Sequence, residues 1–169
     1  METPTELENA IIELSKAEAG VSNRTISTLI YNIIGGAALK AHRAISDTAA
    51  ANEDQVRDYS TTLLLAICKK FDFGWFVASF WVGDGAMCIF NKDKQTFRLL
   101  GIPDEGEFSG QTRFLTMPEI FKDAKSVMDR LRFSIEEDFT ALMLMTDGIS
   151  DPMFETDNNL NSYNKWEEF

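Results

Sequence analysis

One histidine, two cysteines and four prolines are all that this chain of 169 residues has of the residue types that gather soft metals, form disulfides or stiffen linkers. The two cysteines, Cys68 and Cys88, sit in separate apolar runs with no CxxC spacing and no histidine cluster. That excludes a zinc site and a disulfide framework and leaves two buried free thiols as the expectation. His42, alone between Ala41 and Arg43 in a helical stretch, is expected to be a half-buried or exposed helical residue with no catalytic part. Basic residues are also in deficit, 16 against 27 acidic, for a net charge of −11 and a pI near 4.5. Such a surface repels phosphate backbones and anionic lipid, so neither nucleic acid nor membrane is an expected partner. No window reaches the roughly 18 apolar residues of a membrane span, and the first twenty residues lack the basic start and apolar core of a signal peptide. The expected compartment is the cytoplasm.

What the chain does have is 44% hydrophobic residues, enough for the core of one domain over residues 1–169 and too short a chain for two. Leu7, Ala10, Ile11 and Leu14 recur at helical spacing, with Gly20 as a C-cap. From Thr25 the same period runs through Ile26, Leu29, Ile30, Ile33, Ala37, Ala41 and Ile45, predicting one long helix capped by Ser22 or Asn23 and loosened at Gly35 and Gly36.

After "ANEDQVRD" the period changes to that of strands. "YSTTLLLAICKK" and "WFVASFWVGDG" are separated by a turn, and "AMCIFN" and "TFRLLG" flank the hairpin loop "KDKQ". "GIPDEGEFSG" is a surface loop. Two further strands are expected around "SVMDRLRFSI" and "TALMLMT", the second a continuous apolar run suited to burial on both faces. The aromatics of "FDFGWFVASFW" are core and cross-strand partners. The tail "ETDNNLNSYNKWEEF" shows no period. Two helices followed by at least six strands give an α+β class, with helices covering an antiparallel sheet.

Excess carboxylate suits hard divalent cations, which take oxygen ligands from rigid strand ends. Asp84 in "VGDGAM" and Asp147 in "MTDGIS" each follow an apolar strand and precede a glycine, so the two steps could converge at one sheet edge. Asp-Gly is equally a common turn dipeptide, and Asp151, just before Pro152, could cap a short helix. Arg98 and Arg113 alternate with apolar neighbours as solvent-facing strand residues do.

"TDGISD" resembles the TDGxxD segment of the PPM/PP2C metal-dependent protein serine/threonine phosphatases. "YSTTLLLAI", "VGDGAMCIF" and "GEFSGQTRFLT" are similar, in family order, to the strand after the family's long helix, to its GDS-type turn and to a loop and strand of bacterial members. The resemblance covers about residues 12–151, with GDG standing where GDS is usual. It implies a PP2C-like antiparallel β-sandwich flanked by helices, a Mn2+ or Mg2+ cofactor, and a phosphorylated protein as substrate. Asp147 would be a ligand of the catalytic metal pair, and Asp84, Asp147 and Asp151 would surround a weaker additional metal. The implied reaction is hydrolysis of phosphoserine or phosphothreonine by metal-activated water.

The family's phosphate-gripping Arg and its first metal Asp have no counterpart before the first helix, and a late Asp-Asp pair has none after "KWEEF". The expectation is therefore a central portion of the domain, incomplete at both ends and inactive alone. Its partners would include the missing segments of the parent protein or another chain. The alternative is a catalytically silent PP2C-like binding or regulatory module.

Overall fold

The computed structural model describes residues 4–16, 23–104, 112–155 and 158–169. Helix α1 (Pro4–Lys16) buries Leu7 and Ile11, the face that the periodicity marks. The next helical stretch is α2 (Asn23–Ile30), a π turn (Tyr31–Gly35) and α3 (Gly36–Ala51), continuous through all three.

The π turn follows from the spacing of the apolar residues. Ile26, Ile30, Ile34 and Ala38 are all buried, and they repeat every four residues. In a regular α-helix four residues turn by about 400°, so such a stripe drifts off the core by about 40° per step. A π turn, wider by one residue, takes up that drift: the Gly36 N–H reaches back five residues to the Tyr31 carbonyl. The loosening expected at Gly35 and Gly36 is present, and close packing explains the first of them: a Cβ on Gly35 would stand 2.8 Å from Val127 Cγ1.

Six strands form two antiparallel sheets: β1 (Leu63–Phe71), β2 (Gly74–Val82), β3 (Ala86–Asn91), β4 (Thr96–Leu99), β5 (Leu131–Glu136) and β6 (Ala141–Met145). The first sheet has the order β1-β2-β5 and the second β4-β3-β6. Along β2, Phe76, Ala78, Phe80 and Val82 pack with Ile26, Ile30 and Ile34 of the helices. The intervening Val77 and Trp81 pack with Met87 and Ile89 of the second sheet. On β3 the alternation is repeated, and Ala86, Cys88 and Phe90 face outward against α5 (Asp147–Phe154) and α6 (Tyr163–Glu167). The result is four layers, helix on sheet on sheet on helix. This is the α+β class that the sequence pattern predicts, and the sandwich with flanking helices that the resemblance implies.

The structure corrects several element boundaries. "SVMDRLRFSI" begins in a helix: α4 (Ala124–Met128) is capped by Asp123, whose carboxylate accepts from the Ser126 N–H, and only Leu131 onward is strand. "TRFLT" is not a strand; residues 112–117 run as an irregular segment, and the loop before them lies outside the described residues, as do Gly20 and Ser22. β6 is an edge strand with Leu144 43% exposed, because its pairing stops at β3 and no described strand covers its other side. Cys68 is exposed on the edge strand β1, whereas Cys88 is buried and its thiol is pushed up to about 12 by burial. The tail forms α6 despite having no period. Trp166 drives it, fully buried against Phe154 with ring centroids 4.4 Å apart, its indole N–H donating to the Leu160 carbonyl at 2.8 Å.

The aromatic run behaves as core: Phe71 stacks on Phe73, and Phe76 meets Phe133 across the β2–β5 pair. His42 is a part-buried helical residue whose Nδ1 lies 2.8 Å from the Leu115 carbonyl, with the ring against Phe121. Among the described residues no helix is long and apolar enough to cross a membrane.

Candidate functional site

The chain leaves β2 at Val82 and enters β3 at Ala86 through Gly83, Asp84 and Gly85. Gly83 has φ +114°, and a Cβ there would stand 2.5 Å from Thr62 Cγ2, so conformation and space both require glycine. Gly85 is required by contact alone: its Cβ would meet the Met145 carbonyl at 2.6 Å and Leu64 Cδ1 at 2.8 Å. Met145 is the last residue of β6, paired with Ala86 at the start of β3. Asp84 thus lies two residues before that pair and Asp147 two residues after it, on neighbouring strands at one end of the sandwich. The two Asp-Gly steps therefore lie at neighbouring strand ends, although 63 positions separate them in sequence.

β6 opens into a helix rather than a loop. Thr146 is the N-cap of α5 and its carbonyl accepts from the Ile149 and Ser150 N–H groups, each at 2.9 Å. Asp147 therefore occupies the first turn, where the helix's positive end favours a carboxylate. Asp151 follows four residues on, one turn along the same helix, and Pro152 lies inside α5 rather than starting it.

Asp84 is half-buried and its Oδ2 accepts a hydrogen bond from the Thr112 hydroxyl. Asp147 and Asp151 are exposed, and Asp147 Oδ1 accepts from the Gly148 N–H at 2.9 Å. The donor type fits Mn2+ or Mg2+, since all three groups are carboxylates at one sandwich end. Among the described residues, however, no three His, Cys, Asp or Glu side chains stand close enough together to hold an ion.

A second pair of residues, which no local sequence signal marks, fixes the turn that carries Asp84. Asp104 Oδ2 accepts from the Gly83 N–H at 2.9 Å, and the Asp104 N–H donates to the Gly83 carbonyl at 2.9 Å. Arg130, 7% exposed, donates through Nη1 both to the same Asp104 carboxylate and to the Trp81 carbonyl. The ion pair is buried, so removing either partner would strand a charge at a cost of about 3–5 kcal/mol. Neither Arg98 nor Arg113 joins the Asp104–Arg130 ion pair. Arg98 is exposed on β4 and its Nε donates to Glu136 at 2.8 Å, while Arg113 lies in the irregular segment beside Thr112 rather than on a strand.

A family model described as protein phosphatase 2C matches residues 5–169. The chain belongs to the protein phosphatase 2C family. Its general function is accordingly that of a phosphatase, in a family that acts on phosphoproteins and generally depends on Mn2+ or Mg2+. Comparison with curated proteins and with solved structures finds no match for the chain.

Proposed function

We propose that this PP2C domain hydrolyses phosphoserine and phosphothreonine monoesters in proteins, with Mn2+ or Mg2+ held around Asp147, Asp84 and Asp151. The convergence of Asp84 and Asp147 on the paired ends of β3 and β6 carries this reading. When bound, a divalent cation neutralises phosphate charge and lowers the pKa of water to produce a nucleophile at neutral pH. The chain's own residues orient the carboxylates. Thr112 holds that of Asp84, Asp104 fixes the backbone of the preceding Gly83, and α5 seats Asp147 in its first turn.

The described residues supply only part of a ligand set, so the chain alone is expected to bind Mn2+ weakly and to remain inactive until further donors join it. Titration with Mn2+, followed by a phosphothreonine-peptide assay with and without an added segment carrying those donors, tests this. Added donors should raise Mn2+ affinity and bring turnover, and EDTA or Asp147→Asn should remove both. Metal-independent turnover unaffected by Asp147→Asn would sink the idea.

A second reading, a catalytically silent module that recognises another chain, is favoured by one observation: among the described residues no three carboxylate, imidazole or thiol groups stand close enough together to hold an ion. Partner binding with no gain in Mn2+ affinity would select it.

A further inference from the structure

Arg113, Lys122 and Arg132 form no ion pair with any carboxylate among the described residues, and in this strongly acidic chain all three line the same cavity. The cavity, about 790 Å3, opens between α4, the start of β5 and the segment 101–104. Its other charges are largely committed. Arg130 is paired with Asp104, Lys125 with Asp129, and Asp123 accepts from Ser126 as the cap of α4. Glu119 and Asp123, which keeps its charge while capping α4, face the three cations, so the described lining residues sum to +1, opposite in sign to the molecule.

The cavity also has an ordered apolar side. Arg132 lies over the Trp81 ring, 4.9 Å from its centroid, and its Nη1 donates to the Asp129 and Leu131 carbonyls, which fixes the guanidinium in place. Ile102, 61% exposed, offers apolar surface beside it. Thr112 lines the cavity and donates to Asp84, so the cavity and the candidate site share a wall.

We propose that this cavity is a docking subsite for acidic residues that flank the phosphorylated residue of a protein substrate. Guanidinium groups match carboxylates in planar, bidentate fashion, and the exposed Ile102 accommodates the peptide's apolar atoms. The proposal rests on the phosphatase reading of the Asp84–Asp147 end for its place in catalysis, while the binding it predicts is measurable without turnover.

The test is fluorescence anisotropy of the full chain, without metal, against a labelled tetraglutamate peptide and its glutamine and lysine counterparts. The glutamate peptide should bind best despite the net charge, and more weakly as salt is added. Exchanging Arg113→Gln, Lys122→Gln and Arg132→Gln together should weaken it about tenfold, as expected for a few exposed charge contacts acting together. The pair Arg113→Gln and Lys122→Gln, which leaves the structural bonds of Arg132 intact, should weaken it about threefold on the same scale, with an unchanged melting temperature.

Asp84→Asn should abolish any response to Mn2+ and leave glutamate-peptide binding intact, so failure of the catalytic reading and failure of the docking reading are separately visible. Equal binding of the glutamine peptide, tighter binding of the lysine peptide, or an unaffected double variant would overturn the proposal. Full displacement of the glutamate peptide by inorganic phosphate would also overturn it, assigning the cavity to a free anion.

Discussion

Gly85 is required by a close approach at a single Cα: it admits the Met145 carbonyl to within contact. Gly85→Ala would push a methyl into that carbonyl, into backbone that cannot rotate away, and the strain should cost about 1–3 kcal/mol. Because the clash lies between the β3 and β6 ends, it should also separate Asp84 from Asp147. Gly36→Ala is the internal control. A Cβ there meets nothing within 4 Å and the backbone is already helical, so stability should rise by about 0.5–1 kcal/mol. Urea unfolding of both variants, with Mn2+ titration of Gly85→Ala, checks the pair of signs; equal effects would remove the special role given to Gly85.

At this scale Asp84 and Asp147 were legible in the sequence, because Asp-Gly after an apolar strand is a local pattern. Thr112, Asp104 and Arg130 were not. Their partners lie 28, 21 and 26 positions away in the chain, and no periodicity records such a contact.

Among the elements, the π turn makes the most specific forecast. It is in effect one residue added to an otherwise regular helix, compensating a stripe spaced strictly by four. Deleting Asn32 from the turn would bring the buried quartet to spacings of four, three and four, which a regular α-helix keeps on one face. The deletion should therefore retain cooperative unfolding, whereas deletion of Ala44 in α3 rotates everything beyond it by about 100° and should unfold the helix layer. Circular dichroism melts of the two deletions distinguish them, and equal losses would contradict this account.

Element identity was legible wherever the period ran long, as in α1 to α3 and β1 to β4. It failed where the pattern is silent on environment. An apolar run such as "ALMLM" reads alike for a central strand and for an edge. The five-residue α6 is too short to show a period and exists because Trp166 has a pocket to fill.

Over the whole molecule, charge and edges oppose each other. At neutral pH the net charge of −11 keeps copies apart, although among the described residues β6 has no strand on one side and Leu144 is exposed. Near the pI of about 4.5 that repulsion vanishes while the edge remains. Light scattering should rise sharply as the pH approaches that value, and Leu144→Lys should suppress the rise by placing a charge on the edge. Scattering indifferent to the substitution would point to another surface.

The two sheets are also wired alike, and this bears on the order in which the molecule assembles. β1 with β2 and β3 with β4 are hairpins that close locally, whereas β5 must return to β2 and β6 to β3 from far along the chain. Distant pairings pay their loop-closure entropy before they gain contacts, so they form late. The end of the sandwich where Asp84 meets Asp147 is created by the β3–β6 pair. The strand ends that carry them are therefore brought side by side only in the last stage of folding, after most of the core is already in place.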